Sequence, residues 1–425
     1  MRGEQGVSVS ASVSVPMAAV EALSRLRTWQ AHVLAAGVLF CFFMIPAPGV
    51  YGVPAIWLLC VGLALYLSGG RDFLQQYRTA VWVMLALIVI NALAARVPGR
   101  ALSGGYELLR SMSLMIPALL LVTQVECRLA FGWMKALAVV ASLASGVLYL
   151  SHYGQDSVMY AIYLWADLHF GNVHNVINVS ALSVLCLAVI LLLERGLKQR
   201  VFFGVLLLFS LWFQWVLESE GTLLAFALCL LAWGSVRFEG MVRALAVIGL
   251  TLGVGGYVVQ MLWPDAVKAA LGIRLGGFEI RSVINTRVLE LVAQQPWFGY
   301  GMNNFKGLPE AAIDGYAFLY PHQIYLEALF SFGILGSALF AALLFSVFRH
   351  TSRQAVLTEP LAMLGFLGAV YMAGKGLTDM KLIDLQPLGI LMIAAAFMAR
   401  PDSRGRLPEQ AESRLVGVSS ISTDT

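Results

Sequence analysis

The chain has 425 residues, of which 59% are apolar and only 12% are charged. Water-soluble domains carry about twice that share of charged residues, so a single soluble globule is excluded. The net charge of +4 does not indicate nucleic acid, because the basic excess of a membrane protein is mostly cytoplasmic-loop arginine. We therefore expect a membrane protein without a nucleic-acid partner.

Apolar runs of membrane-spanning length follow one another along most of the chain. A hydrocarbon layer about 30 Å thick is crossed by helices of about 20 residues, and the sequence has no alternating pattern of the β-barrel type. The sequence predicts an all-α polytopic transmembrane helical bundle of about 12 spans. These lie near residues 31–46, 51–68, 79–95, 107–123, 130–150, 175–193, 201–217, 221–236, 244–263, 321–348, 356–374 and 384–399.

Basic residues occupy every second link between these spans, and this pattern predicts the orientation. The links 47–50, 151–174 and 218–220 contain no Lys or Arg, whereas the links between them do. By the positive-inside rule, both termini are cytoplasmic in a bacterial inner membrane. The predicted organisation is a cytoplasmic N-terminal tail (1–28), nine transmembrane helices (29–263), a large periplasmic loop (264–320), three transmembrane helices (321–399) and a cytoplasmic C-terminal tail (400–425).

The long loop at 264–320 is an exception among the short links of this chain. It is rich in aromatic side chains and contains a helix-like stretch from Ile280 to Gln294, which Pro296 stops. Long loops in compact proteins are usually functional or disordered, and this composition is not that of a disordered segment. We expect a structured cap on the outer membrane face.

One candidate for chemistry is His322, where the outer loop returns to the membrane at the predicted start of a helix. The positive end of a helix lowers the pKa of an imidazole and favours its neutral, base-competent form. Such a histidine accepts a proton from a sugar hydroxyl or orients an anionic group. An interfacial histidine bonded to headgroups or backbone fits the same position equally well.

A second group of candidates lies earlier in the same loop. Arg281 and Arg287 are six residues apart, so on one helix they point in different directions. Guanidinium groups suit phosphate or diphosphate, although contacts with lipid headgroups are the commoner role of such arginines. The Gly299-Tyr300-Gly301 turn that follows Trp297-Phe298 is a weak indication of close backbone approach to a ligand.

Together these segments resemble the O-antigen ligases and related bacterial polysaccharide polymerases. The resemblance covers roughly residues 165–345 and rests on the ordered combination of elements, since no single one is specific. The segment from Gly171 through His174 to Asn175 also resembles the family's Gly-and-Asn entry to a mid-chain helix. The remaining matching elements are Arg281, Pro296 with Gly299 and Gly301, His322, and Gly333-Ile334-Leu335-Gly336.

One element departs from the family pattern. Where the family usually has Ser-Arg-Gly, with the arginine as a second phosphate contact, this chain has Ser219-Glu220-Gly221. Either other cations hold the diphosphate, with Arg96, Arg100 and Arg281 as candidates, or the donor differs. Glu220 is then a candidate base for the acceptor, against the simpler interpretation of a solvated acidic turn.

The resemblance implies a glycosyltransferase that needs no cofactor. It would move a glycan from an undecaprenyl diphosphate carrier to a lipid A-core sugar, or to another lipid-linked repeat unit in the polymerase alternative. His322 and Arg281 would be catalytic, and Arg287, Arg100, Arg96, His174 and Glu220 would bind substrate. A metal site is not expected, because the spacing of His152, His169 and His174 matches no familiar ligand pattern. The alternatives of another class are a secondary transporter and a scaffold subunit of an envelope complex.

Overall fold

The computed structural model describes residues 17–44, 62, 77–155, 157–170, 173–262, 278–312, 318 and 320–399. Over these ranges the chain is helical and forms no β-strand, apart from one isolated bridge between Thr351 and Ala399. The predicted span 51–68, except residue 62, the first part of the predicted loop and the C-terminal tail lie outside the described residues.

The α-helices of the described residues are numbered here in chain order. They are α1 Met17–Met44, α2 Arg78–Ala94, α3 Pro98–Ser113, α4 Met115–Gln124, α5 Cys127–Ser151, α6 Val158–Phe170, α7 Val173–Leu193, α8 Leu197–Val216, α9 Glu220–Arg237, α10 Gly240–Leu262, α11 Phe278–Gln294, α12 Ile324–Phe348, α13 Arg353–Thr358, α14 Pro360–Thr378 and α15 Leu385–Met398. Two short 3-10 turns, Phe305–Gly307 and Pro309–Ala311, lie between α11 and α12.

Eight helical segments of the described residues are long and apolar enough to cross a membrane. They are Pro98–Thr123, Cys127–Ser151, Asn175–Leu193, Leu197–Val216, Glu220–Arg237, Gly240–Val259, Ile324–Phe348 and Pro360–Thr378, and the shorter apolar helices are Thr28–Phe43, Arg78–Ala94 and Gln386–Met398. The all-helical, multi-pass architecture expected from the sequence is therefore confirmed. The total of twelve spans stays a prediction, as do the orientation and the domain limits derived from it.

The bundle has central helices and helices at its periphery. The most apolar window of α14 is 78% buried inside the protein, whereas that of α10 is only 11% buried. Leu245 and Leu252 on α10 are accordingly 61% and 69% exposed. Lipid is the natural neighbour of such a surface, because these apolar side chains would otherwise face water.

Helix α12 is interrupted at Gly333, and the turn after α11 fits into the interruption. Gly333 has φ 62° and ψ −169°, which breaks the helical ladder. The amides of Ile334 and Leu335 donate instead to the carbonyls of Pro296 and Trp297, at 2.7 and 3.1 Å. In return the Tyr300 amide donates to the Phe330 carbonyl at 2.8 Å. The break is thus fully hydrogen-bonded by another segment of the chain.

Two glycines permit this close fit between backbones. A Cβ at Gly299 would lie 2.6 Å from the Gly333 nitrogen, and a Cβ at Gly333 would lie 2.5 Å from the Phe298 nitrogen. Both also have positive φ, which glycine adopts without steric cost. The Gly-x-Gly turn therefore approaches a helix of its own chain, and this packing accounts for its glycines without a ligand. The two glycine motifs are the two halves of one packing element.

A buried asparagine fastens the same junction to the rest of the bundle. Asn91, near the end of α2, donates to the Ser331 carbonyl at 2.8 Å and accepts from the Met302 amide at 2.7 Å. It is 2% exposed, so neither bond competes with water. Residues 297–302 are thereby held between α2 and α12.

The predicted helix of the long loop is present as α11, which ends at Gln294 as expected from Pro296. Its buried side chains Ile284, Val288 and Leu291 share an apolar cluster with Leu326 and Phe330 of α12. The Tyr300 and Phe330 rings stack in this cluster with centroids 4.9 Å apart. The described part of the loop is therefore ordered by its own small core, and α11 and its arginines have a fixed position against α12.

Candidate active site

Three side chains from separate segments meet at one end of the bundle, where α12 begins and α14 ends. We call this the His322 end. The Asp379 Oδ1 atom lies 2.9 Å from His322 Nδ1, and its Oδ2 atom lies 3.5 Å from Arg281 Nη2. Asp379 has a side-chain exposure of 6%, against 27% for His322 and 30% for Arg281. One buried carboxylate therefore connects the two residues that the sequence nominated as catalytic.

The pairing with Asp379 assigns different roles to the two imidazole nitrogens. An ionised carboxylate only accepts hydrogen bonds, so Nδ1 of His322 donates to it. In the neutral imidazole, Nε2 is then the nitrogen that accepts a hydrogen bond from an incoming hydroxyl. A partly exposed histidine held by a buried carboxylate has the arrangement of an oriented general base.

His322 has an unusual backbone conformation and does not open the helix. Its φ is 59°, in the left-handed region that non-glycine residues rarely adopt. Helix α12 begins at Ile324, and its first turn is capped by the Gln323 side chain, which accepts from the Leu326 amide at 3.0 Å. The expectation that His322 starts the helix was therefore wrong by two residues. Such strain is found where the surrounding structure holds a side chain in a required place.

Aromatic rings enclose the imidazole on the loop side. The Tyr320 ring centroid lies 4.2 Å from that of His322, and the Phe318 centroid lies 6.3 Å away. Burial raises the pKa of Tyr320, and the nearby carboxylates of Asp379 and Glu327 raise it further. The Tyr320 phenol is therefore a permanently protonated donor at neutral pH.

Asp379 directly follows α14, and its neighbours in that helix complete the site. The Asp379 amide donates to the Lys375 carbonyl at 3.1 Å. Lys375 is 3% exposed and lies one turn before Asp379, so a second cation is buried close to Arg281 and the carboxylate. Thr378 is in tight contact with Gly221, where a Cβ would lie 2.8 Å from the threonine Cβ. This contact brings the acidic turn of residues 218–220 next to Asp379.

Two of the arginines nominated for substrate binding are engaged in internal contacts. Arg287 donates to the Glu310 carbonyl at 2.8 Å and pairs with Glu290 at 2.7 Å. Arg96 pairs with the Glu310 carboxylate at 2.8 Å. These contacts tie α11 and the link after α2 to the 3-10 turn at residues 309–311. The structure thus brings Arg281, but neither of these two, to His322.

Arg100 belongs to a different part of the same end. Its side chain lines a polar cavity of about 590 Å³ together with Ser103, Asn303, Phe305, Lys306, Tyr320, Glu327, Ser331, Lys381 and Asp384. Tyr320 both lines this cavity and places its ring against that of His322, with the two ring planes tilted by 32°. Arg100 is therefore placed beside the site without contacting Asp379.

The remaining two nominated residues lie near the ends of helices. Glu220 is the first residue of α9 and is exposed, next to Glu218, whose φ is 48°. His174 is in the first turn of α7, and its side chain lies outside the described residues. Among the described side chains, no group of three or more His, Cys, Asp or Glu residues is arranged to hold a metal ion.

An apolar groove of about 490 Å³ runs along the bundle to the other side of His322. It lies between α9, α10, α12 and α14, and its walls are almost entirely aliphatic. Gln323, which caps α12, lines one side of it, and Leu377 lines it from α14. These residues directly follow His322 and closely precede Asp379 in the chain, so the groove reaches the charged cluster.

In a comparison with known protein families, residues 176–341 match the model of the O-antigen ligase family. The match covers 166 of the 425 residues of the chain. The matched range includes Arg281, His322 and both interlocking glycines, and it ends before Lys375 and Asp379. No curated protein sequence matches the chain significantly.

The match bears out the family resemblance, and together with the apolar helices it supports a multi-pass membrane protein of O-antigen ligase or polymerase type. The central acid of the site, Asp379, was missed from the sequence. Its only signal was an acid between Lys375 and Lys381 in a link on the predicted outer side. Pattern and spacing do not reveal that this link packs against His322.

Proposed function

We propose that the protein is a glycosyltransferase acting on the outer side of the bacterial inner membrane. In this proposal it moves a glycan from a polyprenyl diphosphate, with undecaprenyl as the carrier, to a sugar of the lipid A-core. The observation that carries the proposal is the Arg281–Asp379–His322 array, whose chain neighbours Gln323 and Leu377 line an apolar groove. The match to the O-antigen ligase family supports the same chemistry.

The donor is an amphipathic anion, and the two parts of the site match it. The aliphatic groove between α10 and α14 suits a prenyl chain, which needs apolar walls and no polar partners. Arg281 and the buried Lys375 suit the diphosphate at the end of that chain. Asp379 is the carboxylate that contacts Arg281, at 3.5 Å, and a bound diphosphate would compete with it for the guanidinium.

The reaction consistent with this geometry is a single displacement. The acceptor hydroxyl oxygen forms a bond to the anomeric carbon as the bond from that carbon to the phosphate oxygen breaks. The hydroxyl proton passes to Nε2 of His322, and the bonding pair leaves with the diphosphate. Arg281 stabilises the charge that develops on the leaving group. The energy is stored in the sugar–diphosphate bond, so no nucleotide is needed, and attack opposite the leaving group inverts the anomeric carbon.

The position of the charged groups favours an enzyme over a secondary transporter. Lys375 and Asp379 lie at the end of α14, and His322 and Arg281 lie outside the spans. Transporters of this size carry ionisable groups near the bilayer midplane, on helices broken in matching halves. A cluster of charged groups at one end of the bundle does not form a proton path across the membrane.

A lipopolysaccharide gel of a deletion strain beside its parent tests the proposal. Loss of the whole polymer ladder, with polymer retained on the lipid carrier, is the expected result for a ligase. A core carrying a single repeat unit would instead assign a polymerase. An unchanged ladder would exclude both O-antigen functions and direct attention to capsule or exopolysaccharide.

A further inference from the structure

The polar cavity beside Tyr320 is not used by the donor in the mechanism above. It shares no lining residue with the apolar groove. Tyr320, which precedes His322 in the chain, lines the cavity, and Gln323, which follows His322, lines the groove. A transferase needs a second subsite from which an acceptor hydroxyl reaches the base. A polar cavity one aromatic ring away from His322 meets that need.

The charges around the cavity indicate what kind of acceptor it takes. Arg100, Lys306 and Lys381 come from three different segments and line the same space. Within the part of the chain that the structure describes, none of these three cations forms a salt bridge, in contrast to Arg96, Arg281 and Arg287, although Lys381 interacts at longer range with Glu107 and Glu327. Unpaired cations that converge on one cavity attract an anionic ligand.

The carboxylates in the cavity do not cancel this charge. Glu327 is 3% exposed, and its Oε2 atom already accepts from the Leu382 amide at 2.6 Å. It therefore holds the loop after α14 in place. Asp384 is the other carboxylate in the lining, so two carboxylates face three cations. The cavity has a positive surplus.

Other lining groups suit a sugar. Asn303 has φ 56°, and among the described residues its buried Oδ1 atom accepts no hydrogen bond. A buried acceptor without a donor is costly, and a ligand hydroxyl would satisfy it. Phe305 and Tyr320 supply aromatic surface in the same cavity, and pockets that combine such faces with a few fixed polar groups orient small polar ligands.

We propose that this cavity is the acceptor subsite, and that it recognises a glycan bearing phosphate or carboxylate groups. The inference rests on the proposed function and refines it. It also assigns Arg100 to the acceptor rather than to the donor diphosphate, because the diphosphate must stay close to the prenyl groove. Arg100, Lys306 and Lys381 then determine acceptor specificity, and Asn303 accepts from a sugar hydroxyl.

Equilibrium binding to the purified full-length protein in lipid nanodiscs tests this subsite without requiring activity. The probes are lipopolysaccharide core oligosaccharide freed of lipid, the same oligosaccharide after dephosphorylation, and the same after carboxyl reduction. We expect the intact form to bind about tenfold or more tightly than one of the neutralised forms, and that form identifies the anionic group. The triple variant Arg100→Gln, Lys306→Gln and Lys381→Gln should lose this preference. The control variant Lys198→Gln changes a lysine in the first turn of α8, outside the cavity lining, and should keep the preference.

Equal binding of all three probes, or an unchanged preference in the triple variant, would overturn the subsite. Transfer activity separates this result from the proposed function. Charge-dependent binding without any glycan transfer by the wild-type protein would leave the subsite standing and reject the transferase. Transfer at a rate that does not depend on acceptor charge would support the transferase and reject the subsite. A Lys381→Arg variant, which keeps the charge, should restore most of the binding lost by Lys381→Gln.

Discussion

His322 and Asp379 are 57 positions apart in the chain, yet the Asp379 carboxylate lies 2.9 Å from the imidazole Nδ1 atom. The same carboxylate reaches Arg281, so a single buried acid orients the proposed base and holds the proposed diphosphate ligand. Asp379 is therefore a positioning residue, and we expect its loss to affect catalysis through both partners.

Replacing Asp379 by asparagine tests this role with almost no change in volume. The variant loses a charge-assisted hydrogen bond, which contributes roughly 1.5–3 kcal/mol, so we expect kcat to fall about 10- to 100-fold. The KM for donor should also rise if Arg281 loses its orientation. Steady-state transfer with purified protein measures both parameters.

A double-mutant cycle provides the control for Asp379. Residues that act through one another are strongly non-additive, so Asp379→Asn should add little to the defect of His322→Ala. If the two losses multiply, Asp379 acts independently of His322 and the positioning role is incorrect. Thermal unfolding of each variant monitors folding.

Arg281 has a matched control on its own helix. Arg281→Gln should lower the transfer rate by at least about tenfold, because a cation aimed at the leaving diphosphate is removed. Arg287→Gln should reduce thermal stability instead and leave transfer nearly unchanged, since Arg287 contacts Glu290 and the Glu310 carbonyl. Equal losses of transfer in the two variants would mean that α11 has only a structural role.

The apolar groove is tested by filling it. Ala373→Trp adds an indole to the groove wall beside Leu377. We expect the KM to rise severalfold for a donor with a full-length prenyl chain and to change little for a short-chain analogue. Leu252→Trp, on the exposed face of α10, is the control. If both donors suffer equally from Ala373→Trp, the prenyl chain lies elsewhere.

The interlocked glycines give a prediction about folding. Gly333→Ala places a Cβ 2.5 Å from the Phe298 nitrogen at a positive φ, so the turn and the helix must separate. We expect a loss of several kcal/mol in stability, seen as a much lower unfolding temperature or as failure to accumulate. Gly255→Ala, in α10 with no atom within 4 Å of its added Cβ, should be tolerated. A fully stable Gly333→Ala protein would contradict the packing described here.

The sequence predicts the parts of this molecule that depend on local pattern. Helix α11 and its end at Gln294 follow from apolar spacing and Pro296, and the membrane helices follow from hydropathy. The two glycine motifs were recognised, although their contact with each other was not, because the partners lie more than 30 residues apart in the chain.

The site itself was only partly predictable, since the sequence does not show which carboxylate each arginine pairs with. Arg96, Arg281 and Arg287 look alike in sequence, and only the fold pairs two of them with Glu310 or Glu290 and the third with Asp379. Asp379 and Lys375 lie beyond the stretch that resembles the family. They join the site because α14 packs against α9 through Gly221, Gly374 and their neighbours.

The central claim is that His322 at this site transfers a glycan from a polyprenyl diphosphate. The most direct test incubates purified protein with a polyprenyl-diphosphate-linked glycan and a lipid A-core acceptor, and follows both the glycosylated acceptor and the released polyprenyl diphosphate. We expect the wild type to form the two products in equal amounts, and His322→Ala to be slower by about 100-fold or more. Transfer by His322→Ala at nearly the wild-type rate would contradict the account.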